Sequence, residues 1–126
     1  ARVYIFEQYH YFIGQNPAGR NALYRASIKE GALELVENVE DMQVTYGRDT
    51  NGDRTADVYE DAATVGANWG QVVAARINLL ISSPDNNVTT SPQIYNFNGS
   101  AVTAGTGDRR MFQVFTATIG IRNRLP

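Results

Sequence analysis

Cysteine is absent from the 126 residues, which excludes a disulfide scaffold and any thiolate metal site. Lysine is nearly absent too: ten of the eleven basic side chains are arginine, against thirteen acidic ones, for a net charge of -2. No basic cluster is interleaved with aromatics, so no groove for tracking phosphates is expected and nucleic acid is not an expected partner. Histidine occurs once, at His10, and no Ser-His-Asp arrangement can be assembled around it, so packing or surface placement is expected there. Glycine-rich phosphate loops and metal motifs of His or Cys type are also missing. No apolar run approaches the ~18–20 residues that span a bilayer, and no leader peptide is present. The chain opens without an initiator methionine at Ala1-Arg2-Val3-Tyr4-Ile5, already strand-like, and reads as a fragment or processed piece whose targeting element lies upstream.

What is present is ordinary for a folded domain. Hydrophobic residues make up 43% and charged residues 19%. A chain of this length forms one β-rich domain over residues 1–126, with a single core burying roughly two thirds of the unfolded surface.

The segment Asp41–Asp61 organises the reading. Met42, Val44 and Tyr46 alternate with Asp41, Gln43 and Thr45, the period of two that marks a half-buried strand. Asn51-Gly52 then predicts a tight turn with φ > 0 at both positions, and Ala56–Tyr59 leads back. Upstream, Arg2–Ile13 predicts a long strand, residues 14–19 a turn and Asn21–Ile28 a second strand. Leu33–Met42 changes period: Leu35, Val36, Val39 and Met42 fall at helical spacing, predicting a short amphipathic helix. Downstream, Glu60–Gly70 reads as loop. Gln71–Ser83 carries the strongest strand signal, with Val73, Ala75, Ile77, Leu79 and Ile81 making one wholly apolar face. Pro84–Gly107 is polar, with a short strand at Gln93–Phe97, and Arg109–Arg124 predicts a long closing strand. The class is mainly β, or α+β, with an antiparallel sheet. Such a sheet needs cover for its apolar face. Either it folds on itself, or a helix outside the sequence supplies the cover.

The candidate site is the loop after the central strand. Ca²⁺ takes six to eight hard oxygens, and loops that hold it place ligands at positions one, three, five, seven, nine and twelve. Counted from Asp49, these are Asp49, Asn51, Asp53, Thr55, Asp57 and Glu60. The glycine such loops need at position six is Arg54 here; Gly52 stands at position four. The alternative is a plain hairpin tip, where Asp, Asn and Gly suit a strained backbone. Glu34, Glu37, Glu40 and Asp41 read as the solvated face of the predicted helix rather than an acid–base pair. Trp69 between small residues is expected to anchor a core, with sugar stacking the competing role. The two glycosylation sequons, at Asn87 and Asn98, are expected by chance in a segment this rich in Asn, Ser and Thr. Arg109, Arg110, Arg122 and Arg124 frame the last strand and are expected in ion pairs or an assembly contact. No polar set converges as an active site, and no catalytic residue is expected.

The order of these motifs carries a resemblance. Leu35–Gly47 (LVENVEDMQVTYG), Asp49–Asp53 (DTNGD), Ala56–Tyr59 (ADVY), Trp69 followed by Val72–Leu80 (VVAARINLL), and Arg109–Arg124 together resemble the C-terminal region of PilW-type minor pilins. The likeness covers Leu33 to Arg124 closely and Ala1–Ala32 more loosely. It implies a pilin-like antiparallel β-sheet domain that lacks its N-terminal helix in this fragment, that helix serving as membrane anchor and sheet cover. It further implies a structural subunit of the type IV pilus machinery of a Gram-negative bacterium, at the inner membrane, periplasm and fibre. The implied partners are other minor pilins in a tip complex that primes assembly, and a tip adhesin. The family offers no catalytic residues to carry over. The competing reading is a calcium-dependent exported binding module, an adhesin or carbohydrate-binding domain, using the Asp49 loop with Trp69 and Tyr95.

Overall fold

Three antiparallel assemblies make up the computed structural model, which describes residues 8–121. Strands β1 (His10–Gln15), β2 (Asn21–Ser27) and β3 (Gly31–Glu37) form a three-stranded sheet in sequence order. Strands β4 (Val39–Arg48), β5 (Val58–Glu60), β6 (Val72–Ser82) and β9 (Phe112–Gly120) form a four-stranded sheet in the order β5-β4-β6-β9. Strands β7 (Ile94–Phe97) and β8 (Ser100–Thr103) are a separate hairpin. The domain is thus mainly β, and its sheets are antiparallel throughout. Residues 1–7 lie outside the described part, and with them the first half of the strand expected over Arg2–Ile13.

The predicted helix over Leu33–Met42 is replaced by two strands. Its helical spacing arises from three breaks in a period of two. The β2–β3 register skips Leu35, a bulge that sets two apolar neighbours, Leu35 and Val36, side by side. Asn38, the single residue between β3 and β4, takes φ 65°, a left-handed conformation that Asn tolerates better than most residues. The β4–β6 register then skips Glu40, a second bulge. Asn38 also ties the sheets together: its N–H donates to the Asn21 carbonyl at 2.8 Å, and its carbonyl accepts from Ser82 N–H at 3.0 Å. Beside it Val39 is fully buried.

The central turn is longer than two residues. Arg48 pairs with Val58, so nine residues, 49–57, connect β4 to β5. Positive φ falls at Gly52 and Arg54, not at Asn51. The loop expected over Glu60–Gly70 contains a one-turn helix α1 (Ala62–Val65), capped by Asp61, which accepts from Thr64 N–H at 2.7 Å. A 3-10 turn follows at Trp69–Gln71. Buried Val65 closes this corner against β4.

The core gathers at one end of the four-stranded sheet. Leu80, Phe97, Ala104 and Phe112 are buried together, with Tyr95, Val102 and Val114 packed around them. The β7–β8 hairpin therefore covers one face of that end. At the other end, Gly47 lets β5 lie close. A Cβ there would sit 2.8 Å from the Ala56 Cβ and 3.0 Å from the Tyr59 ring. Gly47→Ala is expected to lower stability by about 1–3 kcal/mol in urea unfolding, and Ala56→Gly in the same chain to restore part of it.

Candidate functional site

The Asp49 loop is built on hydrogen bonds to its own backbone. Asp49 Oδ1 accepts from Asn51 N–H at 3.1 Å and Gly52 N–H at 2.7 Å, while Oδ2 accepts from Arg54 N–H at 2.8 Å. Asn51 Oδ1 accepts from Asp53 N–H at 3.0 Å, and Asp53 Oδ1 from Thr55 N–H at 2.8 Å. Asp57 closes the loop, accepting from the Thr50 N–H and hydroxyl and from the Asn51 side-chain amide at 2.7, 2.9 and 3.2 Å. Asp49, Asn51 and Asp57 are thus brought together, and their oxygens serve as caps for amides that the sheet no longer satisfies. Glu60 stands apart on β5, where both carboxylate oxygens meet the Arg48 guanidinium at 3.0 and 3.1 Å. Among the described residues, no group of three or more His, Asp or Glu side chains is placed to hold a metal ion.

The electrostatics follow this geometry. Desolvation pushes the Asp49 carboxyl up, but the amides of Arg54, Gly52, Asn51 and Asp53 together hold it below the ordinary aspartate range. The Arg48 guanidinium likewise holds Glu60 low. A carboxyl depressed in the folded state contributes stability that is complete above its unfolded value and is lost as pH falls through the folded one. The loop is therefore expected to stay closed on acidification past the ordinary aspartate range, near pH ~3.9, and to open only below it. Asp49→Ala removes the acceptor of three amides. It is expected to speed hydrogen exchange at Gly52 and Arg54 by at least about tenfold, with little change in β6.

The other acidic positions have structural partners. Glu34 accepts from the Asn16 side chain, Glu37 pairs with Arg20, and Asp41 accepts from its neighbours Met42 N–H and Gln43 Nε2. These side chains sit on strands rather than on the predicted helix. Glu40, aimed by its bulge, goes inward: it accepts from Asn21 Nδ2, the Ser82 hydroxyl and Arg110 Nη1, each at 2.8 Å. Arg110 also grips Asp108 through two nitrogens at 2.9 Å each, and its guanidinium lies 5.1 Å from the Phe112 ring. Hydrogen bonding to Asp108, opposed by burial and aided by Glu40, holds Arg110 above the ordinary arginine range. Arg109 bonds Asn87, while Arg122 and Arg124 lie outside the described residues. His10 is exposed at the start of β1. Trp69, expected as a core anchor, is 42% exposed and meets Tyr46 edge-on at 4.8 Å.

An apolar groove lies on one face of the four-stranded sheet. Directly paired residues of an antiparallel sheet share a face. The β4–β6–β9 register therefore puts Met42, Leu79 and Phe115 in one row, and Val44, Ile77 and Ala117 in the next. These six side chains, with Thr116 and with Tyr11 and Leu23 from the first sheet, line a groove of about 600 Å³. Ile77 and Leu79 are only half buried, and Phe115 is 48% exposed. The face that the β6 sequence marks as wholly apolar is thus the one left open.

Neither curated proteins nor solved structures give a match to this chain. A family model does: the one described as type IV pilus-assembly protein W matches residues 10–123. The chain belongs to the PilW family. Membership ties it to assembly of type IV pili and covers both sheets, the β7–β8 hairpin and the groove. Among the described residues of this PilW domain, no helix is long and apolar enough to cross a membrane. The apolar face was expected from the sequence, with its cover either the sheet itself or a helix outside the sequence; among the described residues the sheet does not fold over it. Sequence reasoning missed the Arg110–Glu40 pair, whose members lie 70 residues apart.

Proposed function

We propose that this PilW domain is a structural, non-catalytic minor subunit of the type IV pilus machinery. It acts with other minor pilins in the tip complex that primes fibre assembly, at the inner membrane, the periplasm and the fibre. Its groove seats an apolar helix of the kind that pilins carry at their N-terminus. The observation that carries this reading is the groove itself. A soluble domain rarely leaves such a contiguous apolar surface open unless something binds there. Two adjacent rows of Met, Val, Ile, Leu, Phe and Ala side chains offer a packing surface, and the Tyr11 and Thr116 hydroxyls at its margin make no convergent catalytic set. The Asp49 loop serves as a structural turn at the end of β4. Deleting the gene in the bacterium that encodes it, and counting surface pili by electron microscopy, tests the role. Loss of pili restored by the wild-type gene supports the proposal, and undiminished piliation overturns it.

A further inference from the structure

The free edge of β9 is the longest sheet edge among the described residues, and those of β7 and β8 are only four residues each. The β5 edge is three residues long. The β3 edge carries Glu34 and Glu37 and a bulge, and the β1 edge carries His10. Strand β9 runs for nine residues, FQVFTATIG, with no charge, no proline and an unbroken register on β6. It has none of the devices by which edges are normally protected from pairing.

The phase of the ladder shows which groups point outward. Ile121 N–H donates to the Val73 carbonyl, so the odd-numbered residues of β9 bond to β6. The even-numbered residues, Phe112, Val114, Thr116, Thr118 and Gly120, aim their N–H and C=O at the open side. At Phe112 that side is occupied. Gln93 Oε1 accepts its N–H at 2.8 Å, and Gln93 Nε2 donates to its carbonyl at 3.0 Å, one side-chain amide standing in for a strand residue. The strand beyond this plug carries the open run, centred on Thr116.

We propose that β9 is a homotypic docking edge, where a second copy of this chain pairs β9 to β9, antiparallel, about a two-fold axis at Thr116. The run is self-complementary in that register. Thr116 pairs with its own counterpart, and Val114 with the partner's Thr118. These pairs form six backbone hydrogen bonds, and the Gln93 plug limits the register at either end. Phe115 then meets Ala117 of the partner subunit across the junction, which extends the apolar face from one copy to the next. An uncharged strand suits a partner identical to itself: only Thr116, on the two-fold axis, faces its own copy, and no pair in this register sets like charges against one another. The edge borders the groove without filling it, so this inference does not depend on what the groove binds.

Sedimentation equilibrium over a concentration series, with amide hydrogen exchange on the same samples, tests it. The expected result is a monomer–dimer equilibrium in which Val114, Thr116 and Thr118 become protected as dimer forms. Phe115 and Ala117, bonded to β6, stay protected throughout. Thr116→Pro removes an outward N–H and leaves the backbone hydrogen bonds to β6 in place, losing there only the Thr116 hydroxyl's bond to Asn78. It is expected to weaken the dimer at least about tenfold. Thr116→Val, which loses that same bond but keeps the N–H, is expected to dimerise as wild type. A chain monomeric at all concentrations overturns the proposal. So does a dimer in which these three amides exchange at the monomer's rate, as association through the groove would give.

Discussion

Phe112→Ala is expected to lower the unfolding free energy by about 3–5 kcal/mol, a large part of the roughly 5–15 kcal/mol that holds a domain of this size. Phe112 is 6% exposed and sits where β9, β6 and the β7–β8 hairpin meet. Its ring lies 5.0 Å from Tyr95 and beneath the Arg110 guanidinium, and its backbone is clamped by Gln93. Truncation leaves a cavity among Leu80, Phe97 and Ala104 that strands cannot close without losing register. Urea unfolding read by circular dichroism measures the loss. Ile94→Ala, on the same hairpin but 70% exposed, is the control and is expected to cost less than about 1 kcal/mol. Equal effects at the two positions would place the core elsewhere.

Arg110→Met is expected to cost about 2–3 kcal/mol at neutral pH, although methionine keeps much of the arginine stem's packing. The loss comes from Glu40, 16% exposed, which keeps Asn21 and Ser82 as donors but loses its counter-charge. Glu40→Gln in the same chain is expected to recover part of it, because the amide carries no charge to compensate. The pH dependence has a definite sign. Arg110 holds the Asp108 carboxyl below the usual range, chiefly by hydrogen bonding against the opposing effect of burial. The resulting stabilisation is complete above the unfolded aspartate value, near pH ~3.9, and is lost as pH falls through the folded value. The gap between wild type and Arg110→Met is therefore widest near neutrality and narrows in acid. Unfolding curves at pH 7 and near pH ~3.5 check this; a constant gap would rule out the electrostatic account.

Strands that keep a period of two were legible in sequence. β2 and β6 fall within a residue or two of their expected limits, β7 lies inside Gln93–Phe97, and β9 is the interior of Arg109–Arg124. β3 was not legible. The bulge at Leu35, the left-handed Asn38 and the bulge at Glu40 shift the phase three times in six residues, and the sum imitates a helix. β8, four residues of Ser, Ala, Val and Thr behind Asn98-Gly99, is too short to show any period. The Asp49 loop presents oxygens at offsets that suit a cation, yet the same oxygens suit backbone amides, and only the folded loop shows that they face amides. The apolar face of β6 was visible as a pattern. Which of the two expected covers it has was not, because exposure depends on whether another element of this chain folds over it. The Arg110–Glu40 pair depends on the β4–β6–β9 register and on a bulge that turns Glu40 inward.

The groove is proposed as the working surface of this PilW domain. The measurement that tests it most directly is surface piliation in the deletion strain carrying Leu79→Asp, which sets a carboxylate in the middle of the groove. The purified variant domain is first shown to unfold cooperatively and to keep its β-sheet circular dichroism. The account predicts a folded domain that fails to restore pili, because burying an unpaired carboxylate against an apolar helix is strongly unfavourable. Wild-type numbers of pili from a folded Leu79→Asp protein would contradict it.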